Sequence, residues 1–488
     1  MQQKTNWSQF GTLITVFFFW GFVAASNDIL IPVFKEKLHL EQWQAQMISF
    51  AFYVAYTVGS IIYTIISRVT GGDILNRIGY KNGIALGLII SALGALLFYP
   101  AAMTASFGLL ISGLFVIGLG YSLQQTAANP LAIIMGDPAS GSQRLSMAGG
   151  VNNFGTTIGP LLVSIAIFGS AAAGSGAVRV ASISSVKVPY LILGAAFLVI
   201  AAVFKFSSLP NKINLDEAPT GDHDASKKLV DRGGPLKYPQ LVLGMLGIFI
   251  YVGVEVTTAS NLPEFMRQRL HTPTDQIAPY VSLYWASLMI GRWTNSVGAF
   301  GISKAAQKVL NILMPYLAFG VFMVVNLIAG HGSVIKPFLF VYPFIIIAMI
   351  VGDVLSKGNP ARQLLIFSGM AITALLIGIF ADGMVSVYAF VSVGLFCSTL
   401  WPCIFTLAVA GLGKHTSEGS NLLIMMIMGG GVVSLLQGYL AGTHIGIQYS
   451  YFVGVACFAY LAYYAVRAKK ELKSQGIDFD ALRAAGGH

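Results

Sequence analysis

Charged side chains are scarce in this sequence. Only 10% of its 488 residues are charged, whereas 56% are hydrophobic, and the mean hydropathy is +0.74. A water-soluble globular chain carries about a quarter charged residues. The shortage of charge therefore excludes a soluble globular protein and predicts an integral membrane protein.

Cysteine is also rare, and catalytic patterns are missing. The three cysteines, Cys397, Cys403 and Cys457, all lie in apolar runs, which is neither a disulfide framework nor a metal-ligand spacing. We expect them to be free and buried. The sequence has no phosphate-binding loop, no His/Glu metal spacing and no Ser-His-Asp arrangement. We therefore expect no enzyme activity, no metal and no cofactor.

Long apolar runs fill the chain instead. Each has roughly the 20 residues needed to cross about 30 Å of hydrocarbon. The first follows a single lysine and lacks a small-residue cleavage site, so we interpret it as a retained helix rather than a signal peptide. The pattern predicts an all-α membrane protein with 14 transmembrane helices, near 10–34, 44–67, 82–103, 107–135, 145–168, 189–206, 240–262, 278–300, 306–329, 336–353, 363–381, 385–411, 420–442 and 447–466.

The basic residues orient these spans. An even number of spans puts both termini on one side, and with cytoplasmic termini 22 lysines and arginines lie inside and 7 outside (22 + 7 = 29). This is the bias of the positive-inside rule. It explains the net charge of +10 without a nucleic-acid partner. We expect a multi-pass monomer in a lipid bilayer, a bacterial inner membrane, with both termini cytoplasmic.

A charged stretch divides the spans into two groups, as in transporters built from two repeated bundles. Arg68 and Arg292 both end a span, 224 residues apart (292 − 68), whereas Pro130 and Pro402 are 272 apart (402 − 130). The difference of 48 residues (272 − 224) equals the length of 306–353. We therefore predict an N-terminal six-helix bundle, a cytoplasmic linker, a C-terminal bundle with a two-helix hairpin inserted at about 306–353, and a cytoplasmic tail, at 1–206, 207–238, 239–466 and 467–488 respectively.

Two acids interrupt the apolar spans, although a charge in hydrocarbon costs at least a few kcal/mol. Asp28 lies 18 residues into its span, about 27 Å along a helix. It is either hydrated at the outer interface, or a cap before Pro32, or a proton site; with the neighbouring Asn27 it is alternatively a sodium ligand. Glu255, in "GVEVTTASN", is a coupling or sugar-contacting acid or part of a structural gate. The alternatives are an acid satisfied by hydroxyls and half of an ion pair, for which Arg292 at the end of a span is the nearest candidate partner.

Amides and aromatics supply candidate ligands for a sugar. Amides donate and accept hydrogen bonds, which suits hydroxyl groups, and aromatic faces suit sugar rings. The alternatives are that the amides join helices and that the aromatics are packing or interfacial residues. The candidates are Gln124, Gln125, Asn129, Asn152, Asn153, Tyr284, Trp285, Trp401 and Gln437.

Several motifs resemble a known family. "GGDILNRIGYK" (71–81) resembles the loop between the second and third helices of the major facilitator superfamily. Further motifs are similar to the fucose–galactose–glucose:proton symporter family: "NDILIP" (27–32), "QTAANP" (125–130), "NNFGTTIGP" (152–160), "YVGVEV" (251–256), "PCIFTLAVAGLG" (402–413) and "GGGVVSLLQGYLA" (429–441).

The resemblance implies a major facilitator fold, with Asp28 at the position of the family's proton-linked aspartate. It also implies a role in conformational change for Asp73, Asn76, Arg77, Lys81 and Arg292. The superfamily loop usually carries an acid where this chain has Asn76, and the family commonly has a glutamine and an asparagine where it has Gly149 and Cys397. Gln125 is as in glucose/galactose-type members, whereas fucose-type members have an acid there.

We therefore expect a secondary active transporter that imports a neutral hexose, glucose or galactose, by proton symport and alternating access. Asp28 would carry the proton and Glu255 would assist. The alternatives are a sodium-coupled symporter, an exporter or antiporter of another small molecule, and a sugar receptor that does not transport.

Overall fold

The computed structural model describes residues 5–37, 42–137, 140–168, 187–211 and 231–481, with side chains except those of 25–49, 160–161, 163–168 and 274–275. Asn27 and Asp28 are in the first helix, but their side chains are outside the described residues. So are residues 212–230 of the expected linker and 482–488 of the expected tail.

Long helices, joined by short turns, make up the described chain, which contains no strand. In chain order they are α1 (Trp7–Lys37), α2 (Gln42–Val69), α3 (Tyr80–Thr104), α4 (Phe107–Ile134), α5 (Gly141–Phe168), α6 (Lys187–Phe206), α7 (Pro239–Leu270), α8 (Thr274–Ser296), α9 (Lys304–Ile328), α10 (Phe338–Ser356), α11 (Pro360–Phe380), α12 (Gly383–Val409), α13 (Gly413–Ala441) and α14 (Gly446–Ser474).

Twelve helices of the described chain are long and apolar enough to cross a bilayer, which confirms the predicted all-α membrane architecture. The two long helices outside this set, α5 and α8, pack against each other and join the first half of the chain to the second. Polar side chains on each meet the other helix, as between Arg292 and Asn153. Helices enclosed by protein need less apolar surface than helices that face lipid.

The helices differ in how deeply they are enclosed. In α12, 94% of the span is buried, against 28% in each of α9 and α10. Large apolar side chains such as Phe340 and Phe344 are exposed on α10, as expected where a helix contacts lipid. The segment expected as an inserted hairpin thus lies at the periphery. Tyr342 on α10 meets Ser287 on α8 through their hydroxyls.

Glycines allow the closest helix contacts within each half. A Cβ at Gly21 on α1 would lie 1.9 Å from the Asn152 carbonyl oxygen on α5, and one at Gly429 on α13 would lie 2.0 Å from the Phe249 carbonyl oxygen on α7. Only glycine permits such an approach. The expectation of free, buried cysteines is confirmed for all three.

Candidate functional site

The α5–α8 contact joins the two halves near the first described residues, since the Trp7 ring stacks on that of Phe300, just beyond α8, at 5.1 Å. This end of the bundle is here called the terminal face. The guanidinium of Arg292 donates from Nε to the Ser398 carbonyl oxygen at 2.8 Å, within its own half. From Nη1 it donates across to Asn153 Oδ1 at 2.7 Å and to the Gly149 carbonyl oxygen at 3.3 Å. One arginine thereby holds an N-half helix against two C-half helices.

Neighbouring residues extend this contact. Trp293 Nε1 donates to the Gly150 carbonyl oxygen at 3.2 Å, and Asn295 Nδ2 donates to Ser146 Oγ at 2.7 Å. Cys403 Sγ on α12 lies 3.9 Å from Ser142 Oγ on α5. Donors from the C half thus meet acceptors on α5 over nearly two helical turns.

A second contact joins α2 and α4 to α13. Asn421 Nδ2 donates to the Ser60 carbonyl oxygen and to Thr64 Oγ1, both at 3.1 Å. Ser420 Oγ donates to the Thr126 carbonyl oxygen at 2.9 Å. Both C-half residues are buried, so the seam between the halves is closed here.

Asp73 ties the loop after α2 to this second contact. Its buried carboxylate accepts hydrogen bonds from the Tyr63 hydroxyl, from the Leu75 backbone N–H and, across the seam, from Ser417 Oγ. The Leu75 bond caps the short helix Ile74–Ile78. The Ser417 bond is the one of the three that connects the halves.

The other loop candidates have different surroundings. Asn76 Nδ2 donates across the seam to the Lys414 carbonyl oxygen at 3.4 Å. Lys81 Nζ donates to the Ser207 carbonyl oxygen at 3.0 Å, beside the end of α6. Arg77 is exposed.

The adjacent glutamines of α4 are placed differently. Gln124 is fully buried and accepts from Trp20 Nε1 at 2.8 Å while donating to Ser91 Oγ at 2.9 Å, so it joins α1, α3 and α4. Gln125 is partly exposed and donates to the Tyr56 hydroxyl at 2.9 Å. Gln125 retains accessible hydrogen-bonding capacity that Gln124 lacks.

The asparagines also divide. Asn153 is buried against Arg292, whereas Asn152 is partly exposed and donates from Nδ2 to the Phe17 carbonyl oxygen at 3.1 Å. Asn129 is buried, and its Nδ2 has no hydrogen-bond partner among the described residues. A buried donor without a partner is costly and points to a water or ligand.

Glu255 on α7 lies in the interior of the C half and is partly exposed. Its carboxylate interacts with the Tyr251 hydroxyl and with the charge of Arg292. The Tyr284 hydroxyl donates to the Glu255 carbonyl oxygen at 2.8 Å. The Tyr251 hydroxyl also donates to the Cys397 carbonyl oxygen at 3.2 Å.

Two tryptophans near this acid, Trp285 and Trp401, are partly exposed. The Trp401 ring lies 6.1 Å from that of Tyr251, and the Trp285 ring lies 5.5 Å from that of Tyr284. Gln437 on α13 is fully buried and accepts from Thr257 Oγ1 at 3.0 Å, while its Nε2 has no partner in the described part of the chain.

Comparison with known proteins identifies the class. The family model of the Major Facilitator Superfamily matches residues 13–360. The chain belongs to the major facilitator superfamily. It is 32% identical over 470 residues to the glucose/galactose transporter of Brucella abortus, covering 96% of each chain. It is 27% identical over 479 residues to the L-fucose-proton symporter of Escherichia coli, covering 95% of this chain and 94% of the relative.

A solved structure agrees with the superfamily assignment. The crystal structure of the E. coli transporter FucP in the outward conformation superposes with a TM-score of 0.69 at 25% identity, over 94% of this chain and 98% of that chain. The resemblance to the fucose–galactose–glucose:proton symporter family is confirmed by these relatives. The protein is therefore a transporter rather than an enzyme.

Some residues of this major facilitator were missed by sequence reasoning. Trp20, Tyr56, Ser417 and Asn421 contact the predicted residues or close the seam. Each is an ordinary polar or aromatic residue of an apolar run, without a local pattern to mark it. Their partners lie far away in the chain, so the contacts become visible only in the folded molecule.

Proposed function

We propose that this protein imports a neutral hexose, glucose or galactose, by proton symport and alternating access. The observation that carries the proposal is the hydrogen-bonded closure of the seam at the terminal face. Hydrogen bonds from Arg292, Asn295, Ser417 and Asn421 seal the terminal face. Gln125, Asn152, Trp285 and Trp401 are partly exposed, and such polar and aromatic side chains are the groups that a central sugar site between the halves requires.

The proposed topology has fourteen membrane helices, with both termini in the cytoplasm of a bacterial cell. Six helices form each bundle, 207–238 links them, and the hairpin at about 306–353 is an insertion in the second. The excess of basic residues on the terminal side supports this orientation in the inner membrane. The terminal face would then be cytoplasmic, and the seam would be closed on the cytoplasmic side.

The proposed sugar site lies between the halves. Gln125, Asn152 and Asn129 contribute amides from the N half, and Trp285 and Trp401 contribute ring faces from the C half. Gln437 on α13, whose amide nitrogen has no partner among the described residues, is a further candidate from the C half. Gln124 and Asn153 support the site indirectly, since their amides are already hydrogen-bonded to Trp20, Ser91 and Arg292.

Asp28 is the proposed proton carrier, and Glu255 assists it. A symporter extracts work from a gradient only if each ligand tightens binding of the other. Neutralising an intramembrane acid allows the loaded protein to change conformation without moving a bare charge through a closed barrier.

The test is uptake of labelled glucose into liposomes that contain the purified protein, with an inward proton gradient, an inward sodium gradient or neither. We expect accumulation with the proton gradient alone. Asp28→Asn should abolish accumulation and leave glucose exchange intact, whereas Asp382→Asn, at an exposed acid, should change neither. Accumulation with sodium alone would make Asp28 a sodium ligand, and uphill uptake by Asp28→Asn would refute its role.

A further inference from the structure

Arg292 is a buried cation whose hydrogen-bond acceptors among the described residues are all neutral. The residue is 8% exposed, and its guanidinium bonds one carbonyl oxygen in its own half, and one carbonyl oxygen and one amide oxygen across the seam. Neutral acceptors solvate a buried charge but do not compensate it. Arg292 thus bonds the two halves together while no carboxylate of the described side chains is bonded to its charge.

Glu255 is an acid of the described chain that lies near this charge. The Tyr251 hydroxyl, one turn before Glu255, binds the Cys397 carbonyl oxygen, and Arg292 Nε binds the carbonyl oxygen of the next residue, Ser398. Tyr251 and Arg292 therefore bind consecutive carbonyl groups of α12, which brings Arg292 to within about one helical turn of the position of Glu255 on α7. Among the ion pairs of the described residues, none joins Arg292 to Glu255.

In the described part of the chain, few other titratable groups surround Glu255. They are Tyr251 on its own helix, Tyr284 and Arg292 on α8, and Cys397 on α12. On α14, Tyr451 donates to the Thr258 carbonyl oxygen at 3.5 Å, one turn further along α7. Arg292 is the one cation of this set, so its position governs how well a negative charge on Glu255 is stabilised.

We propose that Arg292 is a positioning residue that couples opening of the terminal face to release of a proton from Glu255. Opening breaks the bonds to Asn153 and Gly149, while the bond to Ser398 keeps the guanidinium in the C half. The freed guanidinium then turns to Glu255 and stabilises its carboxylate. The proton passes from the Glu255 carboxyl group to water that enters at the opened face. This inference deepens the proposed proton symport and rests on it for its biological role.

The inference predicts a pH dependence that needs no sugar. If opening releases one proton, the ratio of open to closed molecules rises by up to about tenfold per pH unit. Cys403 reports opening, because its thiol is buried at the seam beside Ser142. With Cys397→Ser and Cys457→Ser, it becomes the single thiol. The rate at which maleimide labels Cys403 in detergent is divided by the labelling rate of the unfolded protein at the same pH. This ratio then follows the fraction of open molecules.

The variants separate this coupling from simple weakening of the seam. The slope compared here is that of the logarithm of the open-to-closed ratio against pH. Arg292→Gln and Glu255→Gln should each reduce this slope by about one proton, that is by up to tenfold per pH unit. The double variant should reduce it no further. Arg292→Lys retains the charge and should retain the slope. Asn295→Ala removes a different bond across the same seam, so it should raise labelling at every pH and keep the slope.

If protonation of Asp28 also contributes to the pH dependence of labelling, that contribution is the same in all these variants and does not change the comparison between them. Labelling of the parent protein that does not change with pH would overturn the inference, as would a full slope in Arg292→Gln or a loss of slope in Asn295→Ala. Because sugar is absent, failure of glucose uptake would refute the proposed substrate and leave this result interpretable.

Discussion

Ser417→Ala is the sharpest test of the closed seam. Asp73 accepts one side-chain hydrogen bond across the seam, from Ser417, and one within its own half, from Tyr63. Ser417→Ala removes the first bond alone and places a good helix former in the first turn of Thr416–Met425. Tyr63→Phe removes the second bond from the same carboxylate and serves as the matched control.

The expected size follows from the charge on the acceptor. A hydrogen bond to a charged group contributes about 1.5–3 kcal/mol. The Ser417 bond exists only while the terminal face is closed. Its loss should therefore raise the open-to-closed ratio by roughly 10- to 150-fold. Tyr63→Phe lowers the free energy of unfolding of the N half, but it affects the open and closed states alike.

The assay is again maleimide labelling of Cys403 as the single thiol, at one pH and without sugar. When opening and closing are fast relative to labelling, the rate is proportional to the open fraction. We expect Ser417→Ala to accelerate labelling at least tenfold and Tyr63→Phe to leave it near the parent rate. Equal rates for Ser417→Ala and its parent, or a larger effect of Tyr63→Phe, would show that this bond does not hold the seam.

Three further predictions concern other parts of the molecule. Gly429→Ala should lower the free energy of unfolding by about 1–3 kcal/mol or more, because the new Cβ would meet a backbone carbonyl oxygen. A Cβ at Gly431 would have no described atom within 4 Å, so Gly431→Ala should leave the melting temperature unchanged. Gln125→Leu should weaken sugar binding by roughly 2- to 13-fold, the value of one neutral hydrogen bond, with little change in melting temperature; Gln124→Leu should instead lower the melting temperature, and the reverse pattern would contradict the proposed site. At the terminal face, a hydrogen bond from a neighbouring lysine holds the pKa of Asp231 well below its usual range. A carboxylate whose pKa is lowered by folding stabilises the folded contact at every pH above its unfolded pKa, and this stabilisation is lost only as the pH falls through its folded pKa. Amide hydrogen exchange at residues 231–238, corrected for its intrinsic pH dependence, should therefore not change between about pH 5 and pH 8. Asp231→Asn should accelerate this exchange, and unchanged exchange in that variant would refute the role of the charge.

Much of the membrane architecture could be predicted from the sequence. Hydropathy is a property of each run of residues by itself, so the long helices and the absence of strands from the described chain agree with the prediction. The family motifs were readable for the same reason, since each lies within a few consecutive residues. The helices α5 and α8 do not reach the apolar character of a lipid-facing span, and the structure gives the reason: they pack against each other and form hydrogen bonds between polar groups.

The surroundings of the site residues were decided by the tertiary structure alone. Gln124 and Gln125 are neighbours in the same motif, yet one joins three helices and the other keeps an accessible amide. Arg292 was expected at the end of a span, and its partner Asn153 is 139 positions away. A hydrogen bond depends on which distant group the fold brings within about 3 Å. Composition and spacing along the chain carry no record of that distance, so they indicated which residues are polar but not which of them hold the two halves together.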